Sequence, residues 1–353
     1  MTLSQEHKDD VDHSASSSCS SEEALLDMLG LPSAAHLTDD TADENPALGI
    51  PKLSRQDLET LLIQPHSLPQ QYQEQSYCIF PPECSIPPSL LRQWTEALVW
   101  SDDSSSVVAD KSYESIQVLK ADGQIEHRRV LTRLERFVDT HDGWSELCHT
   151  YLPQLLFVLF GSNQPQVLYK EKLNLKPPGG SGFAPHLDTP SLRIALGKEG
   201  PQDFITVMVA IDDMTIENGC LRICPGNWSE DNHVKVIEPE QDGNPDAGGR
   251  AGAIPLEIAE PLEFVDIQVK AGTIVAFNGW APHRSKANAS PYQPRRAVFL
   301  TYNPQEQGDF HKLYYDTMAA KRQAWRQSVG LCQTQEDLDA KAELDALNTI
   351  PKI

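Results

Sequence analysis

Val167-Leu168-Tyr169-Lys170-Glu171-Lys172-Leu173-Asn174-Leu175-Lys176 runs directly into Pro177-Pro178-Gly179-Gly180-Ser181-Gly182-Phe183-Ala184-Pro185-His186-Leu187-Asp188. The first ten residues alternate as an extended strand does. Lys170, Lys172, Asn174 and Lys176 share one face, and Tyr169, Glu171, Leu173 and Leu175 share the other. Prolines and glycines then bend the chain. Beyond the bend His186 and Asp188 stand two residues apart, so on extended backbone they project to the same side and can grip one cation. The pattern alone is ambiguous, because His7-Lys8-Asp9 repeats it near the start of the chain. Its surroundings decide. Downstream, 204–212, 264–270, 272–278 and 296–303 are short, β-branched or alternating, and are separated by Gly, Pro or Asn turns. Upstream, Leu90, Leu91, Trp94 and Leu98 predict a helix over 88–100. Leu147, Tyr151, Leu155, Val158 and Leu159 predict another over 144–161. Helices followed by many strands, without regular βαβ alternation, predict a mainly β protein with flanking helices: an antiparallel sandwich or barrel.

The chain has 353 residues, 23% of them charged and 39% hydrophobic, which suits one domain of about 250 residues with tails. Residues 1–50 hold eleven acidic side chains and a single basic one, Lys8, with a serine-rich patch around Cys19. Such a composition predicts a disordered acidic lead over 1–60, although Leu25, Leu26 and Leu29 mark one short helix within it. Order is expected from near Pro81. The domain is placed at 61–315 and a helical segment at 316–353, the helix beginning near Gly308. Residues 242–252, rich in glycine, read as a surface loop. The net charge of −22 argues against nucleic acid as a partner. No apolar run approaches the roughly 18 residues of a membrane span, and the start lacks the marks of a signal peptide. Seven cysteines, an odd number without a paired zinc pattern, read as reduced thiols in a cytoplasmic protein.

Two imidazoles and one carboxylate on one face of a metal, with other positions open, suit non-haem Fe(II) oxygenases. His283 is the candidate second histidine. It follows the strand 272–278, and the 97 residues between it and His186 suffice for several strands to return the chain to the same place. Twelve residues further, Arg295 or Arg296 can hold a carboxylate bidentately. Only one of them faces inward; if Arg295 does, Ala297 and Phe299 line the same side. The lysines at 170, 172 and 176 read either as a solvated outer face or as the anion-binding wall of a pocket.

Taken together, several pieces resemble the phytanoyl-CoA dioxygenase family over roughly residues 80–315. They are Asn174-Leu175-Lys176-Pro177-Pro178-Gly179-Gly180, Pro185-His186-Leu187-Asp188, Asp212-Asp213 with Glu217-Asn218-Gly219-Cys220-Leu221, Pro225-Gly226, Gly272 to Phe277, Pro282-His283-Arg284-Ser285 and Arg295. The resemblance implies a double-stranded β-helix (jelly-roll, cupin-like) that uses Fe(II), 2-oxoglutarate and O2. It implies His186, Asp188 and His283 as iron ligands and Arg295 as the clamp on 2-oxoglutarate, with Asn174, Ser285 and Phe183 beside the co-substrate. Within the family, Lys170 to Asn174 before the glycine bend is most similar to hydroxylases of small charged metabolites, 2-aminoethylphosphonate hydroxylases in particular. That makes Lys170, Lys172 and Thr189 the expected substrate contacts, and a small anionic or zwitterionic molecule the expected substrate. Acyl-CoA or a secondary-metabolite intermediate is the alternative for the same chemistry. A jelly-roll binding protein without turnover and a zinc hydrolase are the rivals from other classes. Pro225-Gly226-Asn227-Trp228 departs from the Pro-Gly-Ser-His common in the family.

Overall fold

A computed structural model describes residues 48–63, 67–101, 109–119, 124–161, 164–237 and 251–328. The strands among them are β1 (Tyr77–Ile79), β2 (Asp110–Leu119), β3 (Ile125–Glu135), β4 (Gln166–Lys176), β5 (Phe183–His186), β6 (Ile205–Ala210), β7 (Leu221–Ile223), β8 (Val265–Ile267), β9 (Ile274–Asn278), β10 (His283–Ser285) and β11 (Arg295–Pro304). They form a seven-stranded sheet in the order β1-β9-β6-β11-β4-β3-β2 and a four-stranded sheet in the order β5-β10-β7-β8. Every pairing is antiparallel. The smaller sheet covers one face of the larger, giving a double-stranded β-helix, or jelly-roll.

Period-2 alternation builds both layers of the core. Strand β6, Ile-Thr-Val-Met-Val-Ala, is buried along its whole length because both of its faces are covered. Val207 and Val209 point outward to the helices with Val298, Leu300, Ile274 and Ala276. Met208 and Ala210 point inward with Ala297, Val275 and Phe277, against Leu221, Ile223 and Ile267 of the small sheet. The helix Pro88–Val99 lays Leu91, Trp94 and Leu98 on the outer face. Trp144, fully buried, meets Trp94 and Phe137 edge-on at 5.6 and 5.5 Å; truncating such a ring costs about 3–5 kcal/mol.

The structure departs from the sequence expectation in three places. The hairpin β2–β3 was not anticipated, because its polar residues occupy both faces at the sheet edge and no apolar face announces it. Order does not wait for Pro81: helices Arg55–Ile63 and Leu68–Gln75 precede it, the first beginning inside the expected lead. The 144–161 helix is interrupted by a π-helical turn at Leu147–Tyr151, since Pro153 has no N–H to give the carbonyl four residues back. The final helix spans His311–Ser328. The proposed helix around Leu25, most of the 242–252 loop and everything after Ser328 lie outside the described residues.

Candidate active site

The inner face of the large sheet is laid out in rows. Along β11, Arg295 stands opposite Lys176 of β4, Ala297 opposite Asn174, Phe299 opposite Lys172 and Thr301 opposite Lys170. On the other side of β11, β6 continues these rows with Ala210, Met208 and Thr206. At the far edge, Arg133 of β3 lies opposite Asn174. Arg295 thus faces inward and is 1% exposed. Arg296 faces outward and is held by Asp212, its Nε and Nη2 donating at 2.8 Å each.

Strands β5 and β10 pair with His186 directly opposite His283. Asp188 opens the short helix Asp188–Arg193, and the amides of Asp188 and Thr189 both donate to Gly279 O at 3.0 Å. His186 Nε2 and His283 Nε2 lie 3.7 and 3.6 Å from Asp188 Oδ1, with the two rings 4.1 Å apart. Each Nδ1 faces a carbonyl, Ala184 O at 2.8 Å and Ala281 O at 3.0 Å. A carbonyl only accepts, so each Nδ1 carries a proton and each Nε2 is the atom left to face Asp188. Burial, then the neighbouring His283, pushes His186 down to about 4, so it is neutral at pH 7. Burial opposes the Asp188 charge, but the two histidines, the Thr206 hydroxyl and Lys172 outweigh it and hold the carboxyl below its usual range. Thr206 Oγ1 donates to Asp188 Oδ2 at 2.9 Å.

His186 Nε2 and His283 Nε2 both turn toward Asp188 Oδ1, and the three ligand atoms all lie within 4.8 Å of one another. That arrangement fits a divalent ion with bonds of roughly 2.0–2.2 Å.

Next to this centre is an anion-shaped vacancy in the hydrogen bonding. Arg295 donates through Nε and Nη2 to Gly219 O, at 3.2 and 3.0 Å. Its buried Nη1 has no partner among the described residues. Lys176 Nζ donates to the same carbonyl at 3.1 Å, to Ser285 Oγ at 2.9 Å and to Lys286 O at 2.6 Å. Burial, reinforced by Arg295, pushes its ammonium down to about 6. Gly219 makes this possible. Its φ is +75°, and an added Cβ would sit 2.3 Å from Lys286 O, so only glycine brings that carbonyl to both side chains. Ser285 Oγ also accepts from Phe183 N at 3.3 Å and keeps its own proton for another acceptor. Asn174 is buried in the neighbouring row. Phe183 is 38% exposed and forms the wall over which Lys172 Nζ lies at 4.9 Å. A distal carboxylate fits this set.

The lysine-bearing face of β4 is therefore the inner face of the large sheet, not a solvated exterior. Lys172 is pushed down to about 8 by burial and by Lys170 and Arg133. Lys170 is 3.7 Å from Glu135 and 5.1 Å from the Tyr314 ring. Thr189 is fully buried against Gly279, whose added Cβ would lie 2.4 Å from its hydroxyl. Three residues at the site went unnoticed in the sequence. Thr206 had a signal, as the sole polar residue in an apolar strand. Arg133 and Glu135 belong to the unrecognised hairpin.

Residues 91–297 match the family described as Phytanoyl-CoA dioxygenase (PhyH). The chain belongs to that family. It is a family of Fe(II)- and 2-oxoglutarate-dependent oxygenases. Among family relatives, a 2-aminoethylphosphonate dioxygenase from an uncultured bacterium (HF130_AEPn_1) is 37% identical over 188 residues, 53% of this chain and 64% of that protein. A methylphosphonate hydroxylase from Gimesia maris is 34% identical over 196 residues, 55% and 66% of the two chains. The match thus spans just under two thirds of these relatives' own length. Among solved structures, EctD from S. alaskensis with 2-oxoglutarate and 5-hydroxyectoine aligns at 17% identity and a TM-score of 0.48, covering 72% of this chain and 77% of that one. No helix among the described residues is long and apolar enough to cross a membrane.

Proposed function

We propose that the chain is an Fe(II)- and 2-oxoglutarate-dependent dioxygenase that hydroxylates a small anionic or zwitterionic metabolite of the organophosphonate kind. The observation that carries this is the convergence of three acceptors, His186, Asp188 and His283, beside a buried arginine with an unpartnered Nη1. In this reading the two Nε2 atoms and Asp188 Oδ1 hold Fe(II) and leave its remaining positions for the co-substrates. When bound, Fe(II) with 2-oxoglutarate supplies the oxidising power that places one atom of O2 on a substrate carbon, with succinate and CO2 as co-products.

The chain's own residues do the rest. Arg295 Nη1, the Ser285 hydroxyl and Asn174 take the distal carboxylate of 2-oxoglutarate, and Lys176, donating to Ser285 Oγ, holds that hydroxyl in place. Phe183 closes one side. Thr206 fixes the orientation of Asp188 through its free oxygen, and the Nδ1–carbonyl bonds fix the two rings. Lys172 faces the substrate. The relatives named for 2-aminoethylphosphonate and methylphosphonate support the substrate class. A cytoplasmic setting belongs to the same reading, supported by five described cysteines that are all buried thiols.

The test is succinate release from Fe(II), 2-oxoglutarate and O2 against a panel of 2-aminoethylphosphonate, methylphosphonate, ectoine and an acyl-CoA. Release coupled to a phosphonate is expected. Release with the acyl-CoA alone would move the substrate class. Turnover with zinc and without 2-oxoglutarate would replace the reaction.

A further inference from the structure

The cations on the inner face are not equivalent. We propose that Arg133 and Lys172 together grip the substrate's anionic group, a tetrahedral dianion such as a phosphonate, while Lys170 is a structural partner of Glu135. This rests on the hydroxylase reading above.

Lys170 is accounted for by Glu135 at 3.7 Å and the Tyr314 ring at 5.1 Å. Lys172 makes no ion pair with a described residue and rests over the Phe183 ring. Arg133 is the residue the hairpin adds. It stands opposite Asn174, hence diagonal to Lys172 on the same face, and such diagonal neighbours are roughly 7–8 Å apart, within reach of two long side chains. Its closest charge partner is Glu135 at 3.8 Å, too long for a hydrogen bond, and its Nε is buried with no partner among the described residues. The side chain as a whole is 41% exposed, so the guanidinium end reaches solvent although its Nε is buried.

Charge sets the ligand class. Arg133, Lys170 and Lys172 are three cations around Glu135; Asp110, opposite Glu135 on β2, and Arg322 beside it offset each other, which leaves two positive charges unmatched. Asp188 is committed to the metal centre. A dianion supplies the missing two charges, whereas a carboxylate supplies one. The forked guanidinium also matches two oxygens of a tetrahedral oxyanion, and the lysine adds a point charge to a third.

The experiment measures binding of 2-aminoethylphosphonate and of its carboxylate analogue, 3-aminopropionate, to the anaerobic Fe(II)–2-oxoglutarate enzyme by calorimetry. The parent should prefer the phosphonate. Arg133→Gln should weaken phosphonate binding about 10- to 100-fold, the scale of hydrogen bonds to charged groups, and leave the carboxylate nearly unchanged, so that the preference collapses. Arg133→Lys should recover part of it. A merely structural role would weaken both ligands alike. An Arg133→Gln protein that keeps the parent's phosphonate preference overturns the assignment alone. A parent that binds neither 2-aminoethylphosphonate nor methylphosphonate overturns the functional reading, and this assignment with it.

Discussion

Two histidine–carboxylate clusters sit on opposite faces of the large sheet, and they have been finished differently. On the outer face, Glu171 of β4 is completely buried. Its Oε1 accepts from Phe137 N at 3.0 Å and Val138 N at 3.4 Å. Its Oε2 accepts from His311 Nε2 at 2.6 Å and Tyr315 OH at 3.0 Å. Every oxygen has donors, and the cluster fastens the last helix to the sheet. On the inner face Asp188 accepts one hydrogen bond, from Thr206, and its Oδ1 otherwise faces the two histidine Nε2 atoms at 3.7 and 3.6 Å. The residue types are nearly the same. What separates a fastening from a reactive centre is satisfaction: the first set is closed, and the second is complete only with a cation.

The comparison breaks if the two carboxylates respond alike to removal. Asp188→Ala should abolish Fe(II) binding, measured by anaerobic titration, and should lower the melting temperature only slightly, since the one hydrogen bond lost is that from the Thr206 hydroxyl. Glu171→Ala should do the reverse. It leaves a buried histidine and two amides without their acceptor, costing about 3–5 kcal/mol in urea unfolding, while the folded protein still takes up iron. Equal losses of stability in both variants would refute the contrast.

How far the sequence anticipated this follows from signal strength. The inner metal group and Arg295 stood out because glycine bends, strand alternation and HxD spacing are local patterns. The apolar strands around β6, β9 and β11 were equally legible, since each is covered on both faces and reads as a hydrophobic run. Strands β5, β7 and β10 are three or four residues long, too short for any period to register, whereas β8 falls inside the expected strand 264–270. Glu171 looked like one more charge on an alternating strand. Nothing near it in sequence reveals that its partners come from Phe137, Val138, His311 and Tyr315. Arg133 was hidden for the same reason, because it reaches the site only through pairing of a polar edge hairpin with β4.

A subtler probe is Thr206→Val, which keeps the shape and removes the donor that orients Asp188. Iron affinity should fall about 10- to 100-fold, as for other groups that orient a metal ligand, with little change in stability. An unchanged affinity would mean that the two histidines alone fix the centre.

The smallest expected effect is a pH dependence on the outer face. Burial works against the His311 cation, but the hydrogen bond and charge of Glu171, with Asp139 and Asp309, win and raise its pKa above the usual value. The unfolded value is about 6.5. The contribution of the pair is therefore fully present below that pH and lost as pH rises through the elevated folded value. His311→Gln should cost more stability at pH 6 than at pH 9, measured by urea unfolding at both. A difference that grows with pH would reverse the sign and the assignment.

The most direct test of the central claim is anaerobic addition of 2-oxoglutarate to the Fe(II)-loaded protein, followed by visible absorption. If His186, Asp188 and His283 hold the iron and Arg295 holds the co-substrate, a weak charge-transfer band of the chelate appears at one equivalent and is lost in Asp188→Ala. Protein that retains its iron and shows no band at saturating 2-oxoglutarate would contradict the account.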